Sequence, residues 1–238
     1  MTETFILLLA AHVLGDFVLQ TESMAQAKHR PQILILHTVI HLAVTVLILG
    51  AWHPALLLLA LAHLIIDMIK TYCCPPDLRG FLLDQAAHLI TLAALALMVP
   101  AIWGDSLWSR LLPPALSADL PLFWLHVAGL ILAIRAGGFA VALILDPYLK
   151  TAPQLTQGSL PGAGALIGKL ERSATYLLIL LGQPTAVAFL VAAKSVLRFQ
   201  TARDDRKISE YIIAGTLASI GWAMMIALLV RTVAGKLI

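Results

Sequence analysis

The feature that most constrains this chain is a succession of apolar runs, each near the length that crosses a bilayer. Within the first hundred residues they fall at about 4–19, 32–50, 55–72 and 81–100. A helix of ~20 residues spans the ~30 Å hydrocarbon core. Backbone groups in hydrocarbon must be hydrogen-bonded within the protein, which leaves helices and closed barrels. These runs are continuous rather than alternating, so they are read as helices. Composition agrees: 60% of residues are hydrophobic and 12% charged, with a mean hydropathy of +0.91. A soluble domain is nearer half apolar and a quarter charged. The chain is therefore expected to be an all-α, polytopic transmembrane bundle. The first run lacks a basic leader and a small-residue cleavage site, and is read as a retained helix rather than a signal peptide. The net charge of +3 gives no case for nucleic acid. Cys73 and Cys74 are adjacent, which argues against a disulfide framework or a cysteine zinc site.

A linker rich in Trp and Pro follows at 101–121, and further apolar runs lie at about 122–146, 165–199 and 209–231. The 165–199 stretch would make one helix of ~50 Å, longer than the membrane core. Within it "LGQPT" offers a stop at Gly182 and a start at Pro184, so two helices are expected and the segments number about eight, with seven as the alternative. Charge supports eight. The connections 20–31 (Lys28, Arg30), 73–80 (Arg79, with Lys70 close by) and 200–208 (Arg203, Arg206, Lys207) are the basic ones. Eight helices put all three in the cytoplasm with the N-terminus outside; seven would strand the most basic of them outside. Arg231 and Lys236 then fall outside, against the rule. The expected organisation is a four-helix bundle at 1–100, an extracytoplasmic linker at 101–121, and a second membrane half at 122–238 packed with the first as one domain. Trp103 and Trp108 suit the outer interface.

Each of the first four runs carries a pair of ionisable residues four apart: His12/Asp16, His37/His41, His63/Asp67 and Asp84/His88. That spacing places both side chains on one helix face, and two such side chains can share a metal ion. Depth is an independent check. The pairs lie in the C-terminal halves of segments one and three and the N-terminal halves of segments two and four. Antiparallel helices thus bring all four to one level, nearer the cytoplasm. Five imidazoles and three carboxylates suit zinc, and also manganese or iron. Eight groups exceed the needs of one tetrahedral ion, so either two ions share them or some orient the ligands of one. Interhelical hydrogen bonding is the plain alternative for any single pair. His29, His53 and His126 lie in a loop or near segment ends and are read as interfacial. Gly15, just before Asp16, suits close approach of a neighbouring helix, which makes His12/Asp16 the pair most readily assigned to support.

The second half adds Arg135, Lys169, Glu171, Arg172, Lys194, Arg198, Glu210 and Thr216. The cations Arg135, Arg172, Lys194 and Arg198, with Glu171, are candidates for binding an anionic substrate group such as phosphate. Snorkelling to the cytoplasmic interface is the competing account, strongest for Lys169, Lys194 and Arg198. Arg135 and Glu171 are expected to be buried. "PGAGALIG" has no following Lys-Ser/Thr and is no phosphate loop.

Taken together, "AHVLGDFVLQTESMAQAK", "LHTVIHL", "HLIIDMIK" and "DQAAHL" resemble a bacterial family of small membrane proteins known as domain of unknown function 3307. "GKLER", "LLGQPTAVAFLVAAKSVLRF" and "EYIIAGTLAS" extend the resemblance over most of the chain. The family implies a multi-pass protein of the bacterial inner membrane and supplies no established activity. The His/Asp pattern is also distantly similar to membrane proteins named as predicted metal-dependent hydrolases.

The leading expectation is a membrane-embedded, metal-dependent hydrolase holding one or two divalent ions, most simply zinc. The ion would acidify a bound water. Asp16 or Asp84, where not a ligand, would act as general base. The substrate would be a lipid or a lipid-linked phosphate or ester reaching the site from the cytoplasmic side. A transporter or channel for a divalent ion or proton is the first rival. It needs polar groups continuing outward, and the outer halves of segments one to four are apolar. A metal-stabilised scaffold or sensor is the second. Homo-oligomer formation is left open.

Overall fold

The computed structural model describes residues 1–151, 160, 162–199 and 206–237, the side chains of 197–199, 206 and 207 excepted. The side chain of Arg198, most of the basic connection 200–208 and part of the Gly-rich connection before Ala163 therefore lie outside the described residues. Every regular element among the described residues is helical. In order these are α1 (Thr2–Leu14), a π-helical turn (Gly15–Leu19), α2 (Glu22–Gln26), α3 (Pro31–Leu49), α4 (Ala55–Cys73), α5 (Leu78–Met98), α6 (Leu107–Leu111), α7 (Pro114–Ile131), a second π-helical turn (Leu132–Ala136), α8 (Gly137–Thr151), α9 (Ala163–Leu180), α10 (Pro184–Phe199) and α11 (Arg206–Ala234). Among the described residues, six runs are long and apolar enough to cross a membrane: Thr2–Leu19, Pro31–Leu49, Ala55–Cys73, Leu78–Met98, Pro114–Thr151 and Ile208–Ala234. Pro184–Val196 is a shorter apolar helix.

The helix ends follow local chemistry. Pro31 opens α3 at its first turn, where a missing N–H costs nothing. Gly50 closes α3 with φ +61°, the left-handed conformation that favours glycine. Asp77 caps α5 by accepting from the Gly80 N–H at 2.7 Å. The expected break in 165–199 is present: α9 ends at Leu180, Gly182 adopts φ +71°, and α10 begins at Pro184.

The chain divides into two compact units, Met1–Ile131 and Leu132–Ile238. In the first, α1 packs against α3, α5 and α7, α3 packs on α4, and α4 on α5. α1 is the centre, with Ile6, Leu7, Leu8, Ala10, Ala11 and Val13 almost wholly buried. One end of the unit is a continuous apolar core that includes Leu7, Leu8, Ala11, Leu49, Leu56, Leu92, Leu95 and Trp103. The connection after α5 closes that end. Pro100 O accepts from Thr4 Oγ1 at 3.0 Å, Leu107 N–H donates to Gly50 O at 2.7 Å, and Trp108 Nε1 donates to Leu47 O at 2.8 Å.

The stretch read as a linker is thus largely structured. It holds α6 and the first two turns of α7, whose Pro114 starts the helix and whose Pro121 is accommodated inside it. Trp103 is buried in the apolar core rather than placed on a surface belt, because this connection folds back over the helix ends.

Outside and inside are inverted relative to a soluble fold. Ile35, Leu36, Val39, Leu47, Leu57, Leu58, Leu61, Ile65, Leu83 and Ile90 are exposed, while His37, His41, His63, Asp67, Asp84 and His88 are buried. An apolar exterior around a polar interior is the arrangement that hydrocarbon surroundings favour.

In the second unit, α11 packs against α8 and α9, and α10 packs on α9. Arg172 of α9 is 4% exposed. Its Nε and Nη2 donate to Ile134 O at 3.2 and 3.1 Å, and its Nη1 to Ser219 Oγ at 3.0 Å. Trp222 Nε1 donates to Leu132 O at 3.0 Å. Both carbonyls belong to the second π-helical turn, whose wide winding frees backbone acceptors for outside donors.

Candidate metal centre

The four i, i+4 pairs, selected by spacing alone, converge in space. Ring centroids of His41 and His63 lie 3.9 Å apart, His63 and His88 4.5 Å, His37 and His41 4.6 Å, and His12 and His88 4.8 Å. Among the described residues, three groups have ligand atoms all within 4.8 Å of one another: His12/Asp16/His41/His63, His37/His63/Asp67 and Asp67/Asp84/His88. Together they include all eight expected residues. His29, His53 and His126 take no part in any of them. His53 Nδ1 accepts from Ala55 N–H at the start of α4, and His126 Nδ1 donates to Leu122 O within α7.

Asp16 is the hub. His37 Nε2 and His41 Nε2 donate to its Oδ1 at 3.1 and 2.9 Å, and His63 Nε2 lies 4.0 Å from the same oxygen. His12 Nε2 lies 3.6 Å from Oδ2. The pair that sequence would assign first to support is therefore central. The cause is the first π-helical turn, in which Gln20 N–H bonds back to Gly15 O. Such turns shift side chains off regular helical register and recur at functional sites. Gly15 is required beside it, since a Cβ there would fall onto the His41 imidazole. Gly15→Ala is expected to push His41 away from Asp16 and sharply lower metal retention, with helical circular dichroism unchanged. Unaltered metal content in that variant would show that the close approach is immaterial.

Asp67 and Asp84 have a further kind of partner. Lys28 Nζ donates to both Asp67 oxygens at 3.0 and 2.9 Å, and Lys70 Nζ donates to Asp84 Oδ2 at 2.6 Å. Gln85 Nε2 donates to Asp84 Oδ2 at 3.0 Å and reaches Asp16 Oδ2 at 3.4 Å. Sequence reasoning missed Gln85, a neutral residue with no pairing pattern, and treated the two lysines as cytoplasmic flank charge. Their only signal is position: Lys70 lies one helical turn beyond Asp67 on α4, and Lys28 lies in the connection just before α3.

His88 Nδ1 donates to the Asp84 carbonyl at 2.9 Å, which fixes the ring and leaves Nε2 with its lone pair. That Nε2 is buried and unpartnered, as are His12 Nε2, His63 Nε2, His37 Nδ1 and Asp84 Oδ1. Each unmet buried polar atom costs about 1–3 kcal/mol. Five in one cluster leave its hydrogen bonding incomplete, and such groups could hold a metal ion. A cavity of about 20 Å³ lies among His12, His41, His63, His88, Thr45 and Thr91, closed beyond by Leu42, Leu56, Leu59 and Leu92. That is room for one ion or one water.

Residues 4–111 match the family described as Protein of unknown function (DUF3307). The expected resemblance is present over that span, which holds all eight His/Asp residues. The second half of the chain, where the resemblance also draws on "GKLER" and "EYIIAGTLAS", lies beyond the matched DUF3307 region. No curated protein and no solved structure matches the chain.

The second unit's polar residues are arranged differently. Glu171 is paired with Lys194, whose Nζ lies 2.7 Å from Oε1, and the Arg172 donors are directed at Ile134 O and Ser219. Arg135, expected to be buried, is exposed. The buried face of its helix is the small-residue row Ala133, Ala136, Gly137 and Ala140, and Arg135 falls on the other side. Lys169 and Glu210 are exposed, and Thr216 Oγ1 donates to Ile212 O.

Proposed function

We propose that the first unit is a membrane-embedded divalent-metal centre, most simply a zinc centre, with hydrolase chemistry directed to the cytoplasmic side. His12, Asp16, His41 and His63 are its primary ligands. The observation that carries this reading is that His12 Nε2 and His63 Nε2, buried without a hydrogen-bond partner, lie 3.6 and 4.0 Å from the Asp16 carboxylate that His41 also reaches. Imidazole with carboxylate suits zinc, with manganese and iron as the chemical alternatives. When bound, the ion supplies an acidified water and polarises the bond to be cleaved. Asp16 is occupied by imidazoles and serves as ligand. With one ion bound at the Asp16 group, Asp84 is the better candidate for general base: Lys70 and Gln85 hold Oδ2, and Oδ1 has no hydrogen-bond partner and can accept a proton; where a second ion occupies the Asp67/Asp84/His88 group, Asp84 is a ligand instead.

The apolar core next to the cluster supports a one-sided site over a transport path. A conduit needs polar groups beyond the histidines, and Leu7, Leu8, Leu49, Leu56, Leu92 and Leu95 stand there instead. A lipid or lipid-linked phosphate or ester is the substrate class that suits a centre opening to the cytoplasmic leaflet. The N-terminus outside, eight membrane segments and residence in a bacterial inner membrane complete the reading.

The test is metal analysis of the purified full chain, alone and as His37→Ala/His41→Ala, followed by assay against a panel of lipid esters and phosphates. One to two equivalents of metal in the native chain, lost in the double variant, is the expected result. Absence of stoichiometric metal from both overturns the centre. Metal-loaded protein that cleaves nothing in the panel overturns the hydrolase chemistry alone.

A further inference from the structure

Resting on the metal-centre reading, we propose that Lys28 and Lys70 form a displaceable anion site: a divalent ion entering the Asp67/Asp84/His88 group releases both ammonium groups, which then bind the phosphate of the substrate. Asp67, Asp84 and His88 present ligand atoms within 4.8 Å of one another. Two atoms of that group, Asp84 Oδ1 and His88 Nε2, are buried without a partner. This is what an ion site looks like when part of its coordination is missing. The remaining oxygens are held by tethered cations, Lys28 on both oxygens of Asp67 and Lys70 on Oδ2 of Asp84. A divalent ion competes for the same lone pairs with twice the charge, and it repels an ammonium left beside it.

Both lysines are placed to move. The Lys28 side chain is 14% exposed and that of Lys70 36%, against 3% for each aspartate. Lysine is a point charge on a flexible stem, and its head can swing to solvent without backbone change. The rim that carries them is held in place. Tyr72 OH donates to His29 O at 2.9 Å, tying the end of α4 to the turn after α2. Released lysines therefore stay at the mouth of the centre, and two ammonium groups beside a metal suit a phosphate group. Metal and phosphate would bind in order, each favouring the other.

The proposal makes a prediction of opposite signs. In Lys28→Met/Lys70→Met the competition for the carboxylates is gone, so metal should bind tenfold or more tightly. Phosphate affinity of the metal-loaded protein should fall tenfold or more. Lys28→Arg/Lys70→Arg should keep phosphate binding. The measurements are titration of the full chain in nanodiscs with zinc, then with inorganic phosphate or a short-chain phosphatidic acid. Tighter binding of the lipid assigns a membrane substrate, and equal binding assigns a soluble phosphate compound. Wild-type protein should bind phosphate only when metal is present; equal binding without metal overturns the proposal. So does loss of metal affinity together with phosphate affinity, the behaviour of merely structural lysines. Lys70→Met alone, at the more exposed position, gives the same signs should the double variant not fold. If wild-type protein holds no metal, the underlying centre fails; if it holds metal and the lysine variants leave both affinities unchanged, only this inference fails.

Discussion

Asp16→Ala is expected to abolish metal retention and to lower thermal stability at the same time. Four imidazoles lie within 4.0 Å of its carboxylate. With metal present, the variant loses a ligand and the negative charge that offsets the ion, so affinity should fall at least ~100-fold, the upper range seen when even a supporting partner is removed. Without metal, the His37 and His41 N–H groups lose their shared acceptor, at about 1–3 kcal/mol for each donor left unpaired. Asp16→Asn separates the two effects: it keeps an oxygen for one histidine and removes the charge. It should recover part of the melting temperature and little of the metal. Chelator-washed metal content and thermal unfolding in detergent are the two measurements. A variant that keeps stoichiometric metal would remove Asp16 from the centre.

The second large effect is expected in the other unit, with no bearing on metal. Arg172→Met is expected to destabilise the second unit by about 3 kcal/mol or more, since charged-donor hydrogen bonds contribute about 1.5–3 kcal/mol each and the deserted partners stay buried. Ile134 O, Ser219 Oγ and the space bordered by Gly138 and Gly168 are all arranged around the guanidinium. Arg172→Lys should rescue little, because an ammonium cannot reproduce the planar fork that reaches a carbonyl and a hydroxyl together. The readouts are folded yield and unfolding midpoint, with metal content of the first unit as the control. Loss of metal in Arg172→Met would reveal a dependence that neither unit's own packing explains.

Much of the candidate site was legible because its signal is arithmetic. A spacing of four fixes a helix face, and the position of each pair within its run fixes a depth. Neither step needs tertiary knowledge, and together they bring His12, His37, His41, His63 and His88 into one cluster. Rank within the cluster was not legible. Asp16 becomes the hub through a π-helical turn, and sequence gives no sign that five residues will wind more widely than their neighbours. Lys28 and Lys70 were hidden by a sound rule, since flanking lysines usually serve orientation. Gln85 was hidden by being neutral.

In the fold, the break at Gly182–Pro184 was readable from residues that have few other uses. The helical start at Pro114 was not, because Pro113, Pro114 and Pro121 read as punctuation, whereas one opens the helix and another is absorbed within it. Arg135 was expected inside on the ground that charge in a membrane seeks an interior. The buried face was already given to alanine and glycine, whose small size lets the neighbouring helices close.

The apolar core that seals one end of the first unit has an electrical consequence. In the proposed orientation it separates the histidine cluster from the outer face with no polar thread through it. A membrane potential falls mainly across the insulating part of its path, and a unit charge moved through 100 mV gains about 2.3 kcal/mol only when it traverses that part. An ion entering from the cytoplasm stops short of the insulator. Its occupancy would be governed by cytosolic metal concentration and would ignore the voltage, so a centre buried in a charged membrane would behave as though it were dissolved in the cytosol.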